Sequence, residues 1–392
     1  MYDQRIDAAP LSVDLHDGFP DAIDLLSVGS LCRNAFLRSS WYSAGAGGEG
    51  HTLIAKRADG AILAAIPTTK MGPSLIGVKK VPGSYWPFRS VLVARDALAA
   101  ELAEVFTQAT ARRALGPIWR IGPVPANDAT TGLVTSAAAL AGWSVLERRV
   151  GKSWLLNLQD LGRDSAWPSK STAKRLRQYE RRLSERGQLA WRHVTGADWD
   201  QLALDQMAQV ERESWVGTKT DQSGAKFLQD HQRALWQHAL ADPEIAACTS
   251  ATILLLDERP IAFSFDLFSG TTQYAIASSF AEEFGEYRVG RLVTYHQLQM
   301  AREAGIATVD LGAGDSGYKR QMGAAEGYEF VDLLIVGNRL TANMLALKWG
   351  KEPEHLQALR DEALPASGEQ KTPWQLITAS AALAGTAIAI AE

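Results

Sequence analysis

The sequence predicts an α+β protein built as two tandem lobes, each a mixed, mostly antiparallel sheet flanked by helices. Three observations carry this. Each half opens on a hairpin signal, which argues against a doubly wound parallel sheet. The order hairpin, strand, helix, strand, helix, strand then recurs at an offset of about 190–200 residues. Finally, 392 residues with 46% hydrophobic and 21% charged side chains are enough for two folded domains and too apolar for a disordered chain. The expected division is a first lobe over residues 1–160, a second over 161–340 and a helical tail over 341–392.

The elements follow in order. TLIAKR (Thr52–Arg57) and AILAAIP from Ala61 flank Ala-Asp-Gly, a hairpin turn. DALAAELAEVFTQATARRAL predicts a helix from Asp96, which would serve as its N-cap. The strand IWRIG (Ile118–Gly122), a helix ending at Gly142, and the strands SVLERR and SWLLNL complete the first copy. In the second copy, ATILLL ends at Leu256 and a turn precedes the strand Ile261–Phe268. Ser-Gly-Thr then turns into Gln273–Phe280. A helix from about Gly290 stops at Gly305, a good C′ residue, before the strand ATVDLG (Ala307–Gly312), a short helix and FVDLLIVG from Phe330.

Between the copies lies a basic helix over 171–187, capped by Ser171 or Thr172 and ended by Gly187. Residues 170–186 carry seven Lys or Arg against two Glu, and Leu176, Tyr179 and Leu183 form one narrow apolar stripe. The basic face reads either as the solvated side of an amphipathic helix or as a surface for an anionic partner, such as a cofactor phosphate, substrate or tRNA.

Lys plus Arg is 40 and Asp plus Glu is 44, a net charge of −4, which does not suit a chain built overall for nucleic acid. Cys32 and Cys248 lie far apart with no CxxC spacing, which fits a reducing, cytoplasmic setting and no zinc site. No HExxH or EF-hand spacing occurs, so no metal is expected. The N-terminus lacks the basic and apolar regions of a signal peptide. The apolar segment from Trp374 is too short and too diluted for a membrane span. It is expected to be a packed helix, with peripheral membrane contact as the alternative.

The chemistry concentrates in YAIASSFAEEFGEYRVGRLVTYHQLQMA. The helix opening at Arg288-Val289-Gly290-Arg291-Leu292 has no Ser, Thr, Asp or Asn at its N-cap. Its first N–H groups and positive dipole end are therefore open to an anion, Gly290 lets one approach the backbone, and two arginines flank it. Asp96 would block the matching helix of the first copy, so the first lobe is expected to be degenerate. Asp266 and Asp310 interrupt apolar strands, where a carboxylate is costly unless paired or functional, and are candidate bases.

With LLLDERPIAFSFDLFSGTTQYAIASSF, YRVGRLV and GIATVDLGAGDSGYKRQMG, together with the basic helix and ERESWVGT, the sequence resembles the GNAT acyltransferase superfamily. The likeness is to its two-lobed CelD-type branch of cellulose and exopolysaccharide operons, related in architecture to Fem-type peptidyl transferases. It covers residues 150–335 well and the first half loosely. The single glycine in Arg288–Leu292 departs from the superfamily's two-glycine loop.

The resemblance implies direct acyl transfer from acetyl-CoA or another acyl-CoA to a small-molecule amine, with no metal. Ala277, Ser278, Ser279 and Phe280 would pair with the pantetheine, and the amides of Val289 to Leu292 would hold the pyrophosphate. A backbone N–H at a bulged strand would polarise the thioester carbonyl. Asp310 or Asp266 would take the amine's proton, and Tyr318 would protonate the leaving thiolate. Trp215 and Lys319 are candidate substrate contacts. The acceptor is expected between the lobes, as an amine of an amino sugar, amino acid or envelope precursor. Two alternatives stand: a Fem-like transferase using aminoacyl-tRNA, and a non-catalytic scaffold in polysaccharide assembly.

Overall fold

The computed structural model describes residues 11–31, 34–47, 49–72, 77–83, 88–161, 167–314 and 317–363. The apolar segment from Trp374 and Cys32 lie outside these residues. The chain forms two compact units, one made of Met1–Gly151 with Tyr328–Glu392, the other of Lys152–Gly327. No described helix is long and apolar enough to cross a membrane.

The strands of the first unit are β1 (Ser12–Asp17), β2 (His51–Lys56), β3 (Ile62–Lys70), β4 (Val78–Lys80), β5 (Leu92–Val93), β6 (Ile118–Pro125) and the first part of β7 (Ser144–Asn157). In the second lie the rest of β7, β8 (Leu189–Thr195), β9 (Thr249–Leu256), β10 (Arg259–Ser269), β11 (Thr272–Phe280) and β12 (Thr308–Ala313). The chain returns to the first unit within β13 (Ala325–Val336).

In the first unit the sheet runs β1-β2-β3-β4-β6-β13, with β5 beside β3. Only the β4–β6 pairing is parallel. The expected hairpin is β2–β3. The run from Asp96 is two helices, Ala99–Thr107 and Ala109–Leu115, parted at Gln108. Asp96 is not the cap. Its carboxylate is held by Arg57 at 2.9 Å, while Glu101 reaches back to the Leu98 amide at 2.9 Å. The argument that Asp96 disables the first copy is therefore overturned: a distant arginine outcompetes the helix amides for that carboxylate. SVLERR and SWLLNL fuse into the single strand β7.

The second unit orders β7-β12-β11-β10-β9-β8, with β11–β12 parallel and its other pairings antiparallel. The β9–β10 hairpin turns on Asp257 and Glu258, at φ 47° and 66°. Such angles suit a tight two-residue hairpin, and the Asp257 side chain steadies it by accepting from the Gln188 amide at 2.7 Å. Pro260 sits at a register shift, where a missing donor does no harm.

One sheet face packs the basic helix Lys170–Ser184 and the helix Val289–Glu303 through Leu183, Leu254, Ile261, Phe284, Val289 and Val293. Leu176 and Tyr179 pack against the same cluster, so the narrow stripe is the seam by which the basic helix docks. Its cap is Ser169 rather than Ser171 or Thr172, because the Ser169 hydroxyl accepts the Thr172 amide at 3.3 Å and starts the helix earlier. The opposite face packs Phe263 and Phe265 edge-to-face against Phe227 and Trp236.

Candidate active site

The decisive geometry is where β11 leaves β12. The two strands pair over three residues only, Thr272 with Thr308, Gln273 with Val309 and Tyr274 with Asp310. β11 then continues to Phe280 bound to β10 alone, while β12 shifts register towards β7. A parallel pair that stops after one turn of pleat leaves a wedge, with the outer edge of Ala277–Phe280 lacking a strand partner among the described residues. Ile276 is the extra residue of a bulge, since Ala275 faces Asp266 and Ala277 faces Phe265.

The chain leaves Phe280 through a 3-10 turn, Glu282–Tyr287, into the helix at Val289. Arg288 stands at the N-cap position with φ 53°, in the left-handed region, and no side chain caps the helix. A non-glycine residue there costs of order 1 kcal/mol, which the surrounding packing must offset. The Arg288 carbonyl accepts from Arg291 and Leu292 at 2.9 and 3.0 Å. The uncommitted amides are thus those of Val289 and Gly290, fewer than the four expected.

Gly290 also has a packing role. A Cβ there would lie 2.7 Å from the Phe280 ring, so the absent side chain makes room for Phe280. Phe280 itself is 39% exposed.

Electrostatics favour an anion at this helix start. Each acidic residue of the turn is engaged elsewhere: Glu282 with Lys219 at 2.8 Å, Glu283 with Arg259 at 3.0 Å, and Glu286 with Arg182 at 3.4 Å. Arg288 makes no ion pair among the described residues, and Arg291 makes only a cation–π contact with Tyr295. With the turn's carboxylates neutralised and two arginines left over, the local field is positive.

Of the other expected residues, Asp310 ends the β11–β12 pairing at the apex of the wedge, 2% exposed, and accepts the Gly312 amide at 2.8 Å. Tyr318 opens the short helix after β12 and is 46% exposed. Trp215 is 58% exposed at the start of Trp215–Lys219. That helix is tied to the turn through Lys219 and Thr218 on Glu282.

Two candidates are set apart from solvent. Lys319 is buried, its ammonium donating to the carbonyls of Gly312 and Ala313 at 3.0 and 3.1 Å; it closes the end of β12 rather than facing a substrate. Asp266 is 1% exposed and accepts from Ser264 at 2.7 Å and Gln273 at 2.8 Å. Burial pushes its carboxyl up to about 7, against the pull of those two hydrogen bonds. It pairs with neither Arg288 nor Lys319, and it is too enclosed to touch an acceptor amine.

Sequence reasoning missed one cluster here. The imidazole of His296 stacks on Trp191 with centroids 4.1 Å apart, and its Nε2 lies 3.3 Å from that of His193. The Trp191 and His296 rings, with Leu176, Arg177, Glu180 and Tyr295, border a groove of about 250 Å3. No local spacing joins residues 193 and 296, and β8 carries no strong alternation to reveal it. Among the described residues no three His, Cys, Asp or Glu gather as a metal-binding group.

Residues 170–320 match the family model described as the Acetyltransferase (GNAT) domain. Among solved structures, a conserved protein of unknown function from Bacteroides thetaiotaomicron VPI-5482 is 15% identical. That match covers 81% of this chain and 99% of that one, with a TM-score of 0.50. FemX is 10% identical over 82% of this chain and 97% of its own, also at 0.50. The C-terminal domain of a putative lysylphosphatidylglycerol synthetase from Agrobacterium fabrum is 13% identical over 83% and 93%, at 0.49. No curated protein matches the sequence. At these identities the two likenesses at 0.50 speak for the fold alone, and with the matched family model that fold is GNAT-like.

Proposed function

We propose that the second unit is an acyl-CoA-dependent N-acyltransferase acting on the amine of a small molecule. The wedge between β11 and β12 beside an uncapped, arginine-flanked helix start carries this reading. Free backbone groups on Ala277–Phe280 suit the amide-rich pantetheine arm, which would add to the sheet as a short strand. The amides of Val289 and Gly290, with Arg288 and Arg291, suit a pyrophosphate.

The thioester would supply an activated acyl carbon. The chain's part is to hold that carbonyl at the Ile276 bulge, where a backbone N–H can stabilise the oxyanion as a neutral amine attacks. Collapse then breaks the C–S bond. Tyr318, exposed just past β12, donates a proton to the departing sulfur. Asp310, at the apex of the wedge, is the carboxylate better placed to draw the amine's proton, through water, while Asp266 holds the neighbouring strands. Trp215 would wall the acceptor's side. The resemblance to CelD-type proteins makes an amino sugar or envelope precursor the acceptor class to try first.

Calorimetric titration of the full chain with CoA tests the reading. Binding is expected, and the double variant Arg288→Ala Arg291→Ala should weaken it roughly 100-fold, about 3 kcal/mol. Absence of binding, or a double variant with unchanged affinity, refutes it.

The second reading is transfer from aminoacyl-tRNA. It is favoured by the exposed Lys170, Lys174, Arg175 and Arg177 on the basic helix, none with an ion pair among the described residues. Tight, steeply salt-dependent tRNA binding with no CoA binding would support it over the first.

A further inference from the structure

The first unit also holds a three-residue parallel pair in its own sheet, with the opposite chemistry at its last position, the apex of the pair. β4 and β6 pair in parallel over three residues, the last being Lys80 with Arg120. β11 and β12 also pair over three, the last being Tyr274 with Asp310. A cation therefore occupies the position held by a carboxylate in the second unit.

More cations gather there. Arg120 holds Asp332 in a two-pronged contact at 2.8 and 2.7 Å, and Arg148 joins the same carboxylate at 2.8 Å. Both guanidinium groups lie over the Trp349 ring, at 5.2 and 4.0 Å from its centroid. Arg89 is anchored beside β6 by its carbonyl, which accepts the Gly122 amide at 3.1 Å. Its Nε is buried with no acceptor among the described residues. Lys80 is half-buried and makes no ion pair among them. Burial, then the charges of Arg89 and Arg120, hold the Lys80 ammonium below its ordinary pKa; burial and Arg120 do the same to Arg89, against the smaller opposing pull of Asp332.

Among the described residues Asp332 is the one ion-pair partner of this group, and it is shared by Arg120 and Arg148, with none for Lys80 or Arg89. Withdrawing like charges from water is expensive unless an anion joins them. The Asp332 carboxylate already occupies the inner prongs of Arg120, which leaves Arg89 and Lys80 as the open donors. We propose that this apex is a phosphate-binding site of the first unit, taking the phosphate group of a soluble small molecule. A phosphate dianion offers three oxygens to a guanidinium fork and an ammonium, and matches the surplus positive charge better than a monovalent carboxylate does. The site is separate from the proposed CoA wedge and stands whether or not that reading holds.

The test is calorimetric titration of the full chain with inorganic phosphate at pH 7, in a low-salt buffer free of other oxyanions. Acetate serves as a parallel arm. Saturable phosphate binding is expected, at least tenfold tighter than acetate. It should fall at least tenfold in Arg89→Gln and in Lys80→Gln, and persist in Arg288→Ala Arg291→Ala. Each variant's fold is checked by its circular dichroism and thermal midpoint. CoA affinity, if wild type binds CoA, should be unchanged in Arg89→Gln. No saturable signal below roughly 10 mM phosphate, acetate binding as tightly, or retention in well-folded Arg89→Gln and Lys80→Gln would overturn the proposal. So would a signal lost only in the Arg288/Arg291 variant.

Discussion

Replacing Asp266 by Asn should change how stability depends on pH more than it changes stability at low pH. The carboxyl is buried, and its folded pKa is raised from 3.8 to about 7. A group raised on folding prefers its protonated form inside. Its contribution is fully present below the unfolded pKa and is lost as pH rises, until it levels off above about 7. The rise is about three units at about 1.4 kcal/mol each, so roughly 4 kcal/mol is lost between pH 4 and pH 8. Asn has the same shape and never ionises. Its oxygen can accept from Gln273 and its amide can donate to the Ser264 hydroxyl, preserving both contacts. Urea unfolding of wild type and Asp266→Asn, followed by tryptophan fluorescence from pH 4 to pH 8, gives the difference directly. The variant should gain on wild type steadily across that range. A difference flat to within about 1 kcal/mol would refute the argument, because the carboxyl would then be titrating as if it were solvated.

Further outcomes follow from the same packing. Gly290→Ala should lower stability by about 1–3 kcal/mol through its clash with Phe280, and Phe280→Ala should restore part of the loss in the double variant. Urea midpoints of the four proteins measure this; additivity would contradict the contact. Asp332→Ala strips the shared acceptor from Arg120 and Arg148 and should cost about 3–5 kcal/mol in the same assay. Tyr318→Phe should lower kcat about 10- to 100-fold with KM for acyl-CoA nearly unchanged, measured by thiol release with an amine acceptor. An unchanged kcat would remove Tyr318 from the reaction.

Where the sequence was legible, the signal was local. Apolar runs flanking Asp-Gly and Asp-Glu marked both hairpins, and the stripe Leu176, Tyr179, Leu183 marked the docking seam. The uncapped start at Arg288 could be read from the absence of a capping side chain. What failed depended on distant partners. Asp96 looks like a cap until Arg57, from another strand, takes its carboxylate. That Gly290 must also leave room for the Phe280 ring could not be read locally. Lys319 looks exposed in a polar loop, yet it caps the carbonyls ending β12. The Lys80, Arg89, Arg120, Arg148 and Asp332 cluster was invisible for the same reason. Its members lie from nine to about 250 residues apart, and parallel pairing and β13 unite them.

The central claim is that the unpaired edge of β11 and the start of the Val289–Glu303 helix receive CoA together. Hydrogen–deuterium exchange of the full chain, with and without saturating CoA, tests it most directly. Protection should rise at the amides within Ala277–Phe280 that do not bond to β10, and at Val289 and Gly290, with little change in β9. Bound CoA that leaves those amides exchanging at their free rates, or protects a different surface, would contradict the account.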